Sequence, residues 1–230
     1  MALILNIDTA LEIASLSLAE NAVIIHSTEN DQQKDHAAWI HNAIKELFEI
    51  SGKRIDKLNA VAVSNGPGSY TGLRVGLSTA KGLCYAQNIP LITIGTLEIM
   101  AFSAIRNLKL VPDTELPAPD PLICPMIDAR RMEVFAAVYN VKMEEIMKPR
   151  ALILDERSFE ELLKWHKILF LGNGSEKLFQ ISKYPNAEFR KLTLDPEAMA
   201  ILSYKNFIGN NFAGLAYTEP LYLKEFYSRK

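Results

Sequence analysis

The amino-acid sequence predicts an α/β protein made of two lobes that share one plan. Three observations support this prediction. Three short strand-like runs precede alternating helical and strand-like segments, a proline-rich stretch interrupts the chain at residues 111–121, and the same order begins again after it. A chain of 230 residues is long enough for two modest domains. We therefore expect one lobe in residues 1–110 and a second, smaller lobe in 111–230.

The first half opens with runs that are rich in β-branched residues and separated by only a few positions, which predicts an antiparallel meander. Apolar residues at helical spacing then predict helices between further strands. In order, the predicted elements are strands 3–8, 12–19 and 22–28, helix 35–51, strand 60–64, helix 69–88, strand 90–95 and helix 96–108.

The second half repeats the order. Its predicted elements are strands 122–128, 133–140 and 145–154, helix 159–166, strand 167–174, helix 175–182, strand 187–192 and helix 196–211. Three antiparallel strands followed by alternating helices and strands, twice, is the order of the actin-like ATPase (ASKHA) architecture, in which two ribonuclease-H-like lobes with mixed sheets flank a cleft. The sequence leaves open whether the last helix packs back on the first lobe.

Composition and charge exclude several classes of protein. Hydrophobic residues form 49% and charged residues 23% of the chain, which is typical of a folded globular protein. The 25 basic and 27 acidic residues give no positive field of the kind a self-sufficient nucleic-acid binder carries. The apolar start is broken at Asp8, no other run is long enough to cross a bilayer, and Cys84 and Cys124 fit no disulfide or metal pattern. We expect a cytoplasmic protein without a membrane segment.

The segment SNGPGSYTGLRVG, residues 64–76, carries four glycines at a predicted strand-to-helix junction. A P-loop requires GxxxxGK[ST], but Gly66 and Gly72 are too far apart and Leu73 follows where lysine should stand. A generic anion nest at the helix start is a weaker alternative. Ser69 is a suitable N-cap residue for the helix that follows.

Gly72, Gly76 and Ala80 recur every four residues, so they form one stripe of this helix without large side chains. Each glycine inside a helix costs about 1 kcal/mol relative to alanine, and the usual reason for one is close approach of another backbone. That backbone belongs either to the protein's own sheet or to a second chain. A separate large apolar face favours the second chain; it consists of Leu73, Leu77 and Leu83.

The stretch SNGPGSYTGLRVGLSTAKGLCYAQNIPLITIGTLEIMA resembles the signature of the TsaB (YeaZ) family of bacterial threonylcarbamoyladenosine biosynthesis proteins. The likeness extends over nearly the whole chain. It includes LNIDTALEIASLSL, DHAAWIHNAIKELF, MIDARRMEVFAAVYN, LGNG and TEPLYL.

The resemblance implies the actin-like fold and a non-catalytic role. TsaB proteins pair through two helices of the N-terminal lobe, here 35–51 and 69–87, with TsaD, which transfers a threonylcarbamoyl group to the adenosine beside the anticodon of tRNA. The ATPase TsaE binds the pair, tRNA is met only through the complex, and TsaB alone often forms a homodimer with the same surface. The expected interface residues are His36, Trp39, Ser69, Tyr70, Gly72, Arg74, Gly76 and Ala80. A bulky residue at Gly76 is expected to prevent pairing without unfolding the chain.

No metal site and no cofactor are expected. The catalytic relative holds its metal with an HxxxH pair, whereas His36 and His41 are five residues apart, about 140° around a helix. The candidate nucleotide cleft is weak because the hairpin glycines that let backbone amides reach phosphates are missing. Its candidate residues are Asp8, Thr9, Asp128, Gly172 and Gly174. The favoured alternative is that both aspartates are hairpin-turn residues kept for local hydrogen bonds.

Two hypotheses of different classes follow. The first is a non-catalytic partner that docks a glycine-striped helix onto TsaD and contributes to a composite tRNA surface. The second is an ATP-dependent phosphotransferase or hydrolase that acts alone, which the missing hairpin glycines and metal pair disfavour. The pair Arg130 and Arg131, in a predicted turn, either contacts tRNA phosphate or is simply solvated.

Overall fold

The computed structural model describes residues 1–31, 36–110, 120–192 and 195–224. Two five-stranded sheets with helices confirm the predicted α/β class. The elements of the first half are β1 Leu3–Asp8, β2 Ala14–Glu20, β3 Val23–Asn30, α1 His36–Ser51, β4 Ala60–Ser64, α2 Tyr70–Gln87, β5 Leu91–Ile94 and α3 Thr96–Asn107. Those of the second half are β6 Leu122–Asp128, β7 Glu133–Tyr139, β8 Glu145–Ile153, α4 Glu160–Leu163, β9 Ile168–Leu171, α5 Ser175–Phe179, β10 Ala187–Arg190 and α6 Pro196–Ile208.

The predicted helices 159–166 and 175–182 are shorter than expected, since α4 has four residues and α5 five. The predicted linker, 111–121, lies almost entirely outside the described residues. Within the described part of the chain, no helix is both long and apolar enough to cross a membrane.

Both sheets have the same strand order. The first runs β3-β2-β1-β4-β5 and the second β8-β7-β6-β9-β10. In each, the first three strands in sequence pair antiparallel and the last two add in parallel on the other side of the first strand. The carboxyl ends of the parallel strands therefore share one edge with the first hairpin of the same sheet, the edge at which α/β proteins usually bind ligands.

The described residues form two compact units. The first contains the described residues of Met1–Thr96 and Asp195–Leu221, and the second contains the described residues of Leu97–Leu194 and Tyr222–Lys230. This division differs from a boundary at residue 110, because α3 is grouped with the second unit and α6 with the first. The last helix packs on strands β1, β2, β3 and β5.

Helices cover both faces of the first sheet. Alternate residues of β1, including Leu5 and Ile7, join α1 and α2 in one apolar core. The opposite face is lined by small residues such as Ala60 and Ala62, which are fully buried. α6 presents alanines of its own, with Ala198 and Ala200 fully buried. Small side chains on both partners allow this helix to lie close to the sheet.

An aromatic series organises the core of the second unit. The ring of Phe170 on β9 lies 5.1 Å from that of Phe159 and 5.3 Å from that of Phe189. The Phe189 ring in turn lies 5.2 Å from that of Phe179 on α5. Ring separations of this size fall in the favourable range for aromatic pairs, so the series ties α5 and β10 to the sheet.

Two sheet edges are protected against further strand pairing. Pro149 lies in the edge strand β8 between Lys148 and Arg150, and proline and charge both discourage pairing. In the first unit the segment after α6 bridges β5, because the amide of Ala213 donates to the carbonyl of Leu91. The amide of Leu221 then donates to the carbonyl of Asn65 at 2.7 Å, beside the loop that leads into α2.

Candidate functional site

The start of α2 is fixed by a side-chain cap, as the sequence predicts. The hydroxyl of Ser69 accepts a hydrogen bond from the Gly72 amide at 3.3 Å. The amide of Ser69 donates to the carbonyl of Ala10 at 2.7 Å. The first turn of α2 is therefore attached to the hairpin that joins β1 and β2.

The small-residue stripe of α2 faces the protein's own sheet. A side-chain carbon added to Gly72 would lie 2.0 Å from the Thr9 carbonyl oxygen, and one added to Gly76 would lie 2.3 Å from the Thr9 hydroxyl. Ala80 has no exposed surface. The hypothesis that this stripe lies against a foreign chain is wrong, because the two glycines admit the end of β1 and the residue that follows it.

Thr9 is fully occupied by this contact. Its hydroxyl donates to the Gly72 carbonyl at 2.7 Å and its amide donates to the Ser64 hydroxyl at 3.4 Å. The residue has no exposed surface. A threonine in this position serves the junction between hairpin and helix, and its hydroxyl is not directed to a ligand.

Asp8 behaves as a buried turn residue. Its carboxylate accepts the Ala10 amide at 3.1 Å, and the Ser64 hydroxyl also donates to it. Burial raises the pKa of Asp8, and these two hydrogen bonds only partly oppose that shift. Only 6% of Asp8 is exposed, so its carboxylate serves local hydrogen bonds.

Asp128 is its counterpart at the end of β6. Its carboxylate accepts the Arg130 amide at 2.6 Å and the Lys177 ammonium at 2.7 Å. Partial desolvation acts to raise the pKa of Asp128, but Lys177 and the Arg130 amide outweigh it and hold the pKa below its ordinary value. Both aspartates thus make the two-residue turn contact expected of hairpin residues.

Each unit also carries a glycine turn of the form GxGS after its fourth strand, a repeat that the sequence analysis missed. The two turns are Gly66–Pro67–Gly68–Ser69 and Gly172–Asn173–Gly174–Ser175. The first glycine of each has a positive φ, +105° and +91° respectively, which side chains rarely tolerate. Alignment of the two halves on their fourth strands would have revealed it.

The second glycine of each turn lies against the first hairpin of its own unit. A side-chain carbon at Gly68 would be 2.3 Å from the Ala10 carbonyl oxygen, and one at Gly174 would be 2.9 Å from the carbonyl carbon of Ile127. The Asn173 side chain accepts the Asp128 amide at 2.9 Å. Close packing of backbone within each unit therefore accounts for these glycines without a nucleotide.

Of the remaining predicted interface residues, the structure describes the side chains of Arg74, Tyr70 and Trp39 but not that of His36. Arg74 is exposed, and its guanidinium lies 4.0 Å above the ring of Tyr70, a cation–π distance. Trp39 packs partly buried against the core of the first unit. α1 begins at His36, whose side chain lies outside what the structure describes.

A different stripe of α2 is open to solvent. It consists of Thr71, Arg74, Ser78, Gly82 and Tyr85. A side-chain carbon added to Gly82 would meet nothing within 4 Å, and Tyr85 is 82% exposed. Beside it a groove of about 290 Å³ runs between α1 and α2. His41, Ser78, Thr79, Gly82 and Leu83 line this groove.

Metal ligation has no candidate within the described ranges, where no group of three or more His, Cys, Asp or Glu side chains is close enough together to hold an ion. The candidate site therefore offers a small, exposed face of α2 that carries the Arg74 guanidinium and the Tyr85 phenol. The aspartates of the two hairpins already accept hydrogen bonds within the protein.

The repeated strand order and the paired glycine turns define a two-unit α/β protein of the actin-like class. The structure titled "YeaZ from Pseudomonas aeruginosa" is similar throughout, with a TM-score of 0.80 at 21% identity over 97% of this chain and 100% of that one. The family model described as "TsaD: tRNA N6-adenosine threonylcarbamoyltransferase" matches residues 23–218.

Among curated relatives, "tRNA threonylcarbamoyladenosine biosynthesis protein TsaB" of Buchnera aphidicola subsp. Schizaphis graminum is 36% identical over 79% of this chain and 70% of the relative. The protein of the same name in Escherichia coli is 27% identical over 96% of this chain and 94% of the relative. The chain belongs to the family covered by the TsaD model and to its TsaB (YeaZ) members.

Two alanine substitutions distinguish the buried and the open stripes of α2. Gly76→Ala should lower the free energy of unfolding by about 1 to 3 kcal/mol, because the new methyl group overlaps the Thr9 hydroxyl. Gly82→Ala should raise it by about 0.5 to 1 kcal/mol, because alanine is the better helix former and the space is open. Urea denaturation measures both, and equal effects would contradict the burial assignment.

Substitution of the two hairpin aspartates should have opposite effects on stability. Folding raises the pKa of Asp8 above its ordinary value of 3.8. Ionisation of Asp8 therefore costs the folded state stability as the pH rises from 3.8 through the raised pKa. Asp8→Asn should therefore increase stability at pH 7 but not at pH 3. Asp128→Asn should decrease stability at pH 7, because a lowered pKa favours the folded state above the ordinary value.

The measurement for the aspartate pair is thermal denaturation of the wild type and both variants between pH 3 and pH 8. Each variant serves as the control for the other, because both occupy the same turn position in their units. A loss of stability at pH 7 in Asp8→Asn would show that the charged carboxylate is needed by the fold.

Proposed function

We propose that this protein is a non-catalytic subunit of the tRNA threonylcarbamoyladenosine modification system that binds and activates a TsaD transferase. Membership of the TsaB family supports the pathway, because the curated relatives are named as biosynthesis proteins of this modification. In this proposal tRNA is met through the complex, a TsaE ATPase joins the pair, and the protein works in the cytoplasm.

One observation carries the proposal: the polar groups of the first hairpin and the start of α2 bond to each other. Thr9 donates to Gly72, Ser69 donates to Ala10, and Asp8 accepts from Ala10. An actin-like enzyme needs the corresponding groups free to receive phosphate oxygens. The same contacts disfavour the alternative of an ATP-dependent phosphotransferase or hydrolase that acts alone.

The open stripe of α2 suits a helix of another subunit. Ser78 and Gly82 are small and exposed, so a partner backbone can approach closely at the middle of the stripe. Arg74 and Tyr85 flank them, and arginine and tyrosine are enriched among the residues that contribute most to protein interfaces. The groove between α1 and α2 offers a place for one partner side chain.

A homodimer of the isolated protein is part of the same proposal. If it uses the open stripe, the stripe cannot serve TsaD at the same time. The homodimer should then be displaced by TsaD, with two copies of this chain giving two heterodimers.

Gly82→Leu tests the proposal directly. The variant should fold, because the space beside Gly82 is open, but its association with TsaD should weaken tenfold or more, roughly the loss expected from disturbing a central interface position. The complex mass of the purified mixture gives the pairing, and modification of tRNA by TsaD, TsaE and this chain gives the activity. Gly76→Leu is unsuitable because that position is buried.

Gly214→Leu is the matched control. Gly214 is also an exposed glycine whose added carbon would meet nothing within 4 Å, and it lies outside α1 and α2. It should pair with TsaD as the wild type does. A folded Gly82→Leu protein that pairs normally and supports full modification would contradict the interface. Turnover of ATP by the isolated chain would instead support the phosphotransferase alternative.

A further inference from the structure

The turn between β6 and β7 places two consecutive arginines in left-handed backbone conformations. Arg130 has φ +70° and Arg131 φ +51°, and both side chains are exposed. Left-handed conformations at both central positions of a hairpin favour asparagine followed by glycine, and they are unfavourable for long side chains. Arginine at both positions therefore opposes the local backbone preference.

Another hairpin turn, in the first unit, has the same left-handed backbone without arginine. Between β2 and β3, Asn21 and Ala22 adopt the same conformations, with φ +50° and +69°. Asparagine tolerates this region well and alanine is small. A turn of this kind in the same protein is thus formed without charge, so the two arginines are not required by the geometry of the chain.

The carboxylates beside the turn bond to lysines and to a backbone amide, and the charge of Arg130 adds a Coulombic attraction to Asp128. Asp128 is engaged by the Arg130 amide and by Lys177, whose ammonium also bonds the carbonyl oxygen of Glu133. The carboxylate of Glu133 pairs with Lys224. In the part of the chain that the structure describes, neither the Arg130 nor the Arg131 guanidinium forms a hydrogen bond or ion pair.

Two other arginines of the protein, unlike Arg130 and Arg131, pair with carboxylates. Arg54 pairs with Asp56 at 2.6 Å and Arg190 with Glu188 at 2.5 Å. At the hairpin, Lys177 pairs with Asp128 and Lys224 with Glu133, and the two arginines add further positive charge, in a chain whose net charge is −2. The turn is accordingly a local positive site on a protein that is otherwise slightly acidic.

We infer that the Arg130–Arg131 turn binds the phosphodiester backbone of RNA. This inference rests on the proposed function, in which the RNA is the tRNA held by the complex. The planar guanidinium group matches the oxygens of a phosphate, and an arginine pair at an exposed apex can bind two phosphates without any specificity for the bases. Because the chain as a whole carries no net positive charge, the turn contributes to a surface shared with the partner.

RNA fits the turn better than a free nucleotide does. A nucleotide in an actin-like protein needs free backbone between the glycine turn and the hairpin, but here Gly172 and Gly174 already lie against the backbone of Met126 and Ile127. The arginines follow in the turn at this same end of the hairpin, and their side chains are exposed, so an extended polyanion can reach them. An acidic protein surface is the competing macromolecule, and the experiment separates it from RNA.

The test compares the wild type with the double variant Arg130→Asn/Arg131→Gly, each assembled with TsaD. tRNA affinity is measured by filter binding from 50 to 300 mM KCl. The variant should lower the slope of log affinity against log salt by about 1.5, because each phosphate contact contributes roughly 0.7 to 0.9. Its melting temperature should equal or exceed that of the wild type, because asparagine and glycine suit the turn.

Arg157→Asn is the matched control. Arg157 is also an exposed arginine whose amide donates to an aspartate two residues earlier, Asp155, but it has no positive φ. It should leave the salt slope unchanged. A further control, Arg130→Lys/Arg131→Lys, keeps the charge and should retain most of the slope.

Each other outcome overturns the inference. An unchanged slope with intact TsaD pairing would mean that the turn does not contact RNA. Loss of TsaD or TsaE pairing in the double variant, measured by complex mass without RNA, would assign the turn to an acidic protein surface. ATP binding that calorimetry detects in the wild type and not in the variant would assign it to a nucleotide. If the wild type does not pair with TsaD, the proposed function fails and the inference falls with it.

Discussion

The contact between Thr9 and the first turn of α2 determines how the first unit is arranged. Without side chains at Gly72 and Gly76, the helix lies directly on the end of β1, and the Thr9 hydroxyl bonds to the Gly72 carbonyl. Any side chain at either position would move the helix away from the sheet. The rotation of α2 about its axis is fixed by this contact, and that rotation decides which residues face solvent.

The second unit repeats the arrangement with a different result. Its glycine turn also lies against the first hairpin, and its hairpin aspartate also bonds the amide two residues on. The helix that follows, α5, has only five residues, whereas α2 has eighteen. The same local device thus supports a long helix with an open face in one unit and a short turn in the other, which is why the partner surface is proposed on the first.

Charge is distributed in a related way. The carboxylates beside both hairpins are used within the protein: Asp8 is buried among hydroxyl and amide donors, while Asp128 and Glu133 are paired with lysines. Arg130 and Arg131, in the turn between β6 and β7, face solvent. A subunit that binds other members of an assembly needs charged side chains exposed on its surface. An enzyme that acts alone would instead need its carboxylates and hydroxyl groups free in a cleft.

The sequence by itself determined the order of the elements, the bounds of strands such as Ala60–Ser64 and Leu122–Asp128, and the Ser69 cap, because these depend on local periodicity and local hydrogen bonds. Which stripe of α2 is buried was decided only by the tertiary structure. Gly72 and Gly76 indicate close approach by a backbone, but a glycine carries no side chain that could distinguish the protein's own strand from a foreign helix. The placement of α6 on the first sheet depends in the same way on small residues from distant parts of the chain.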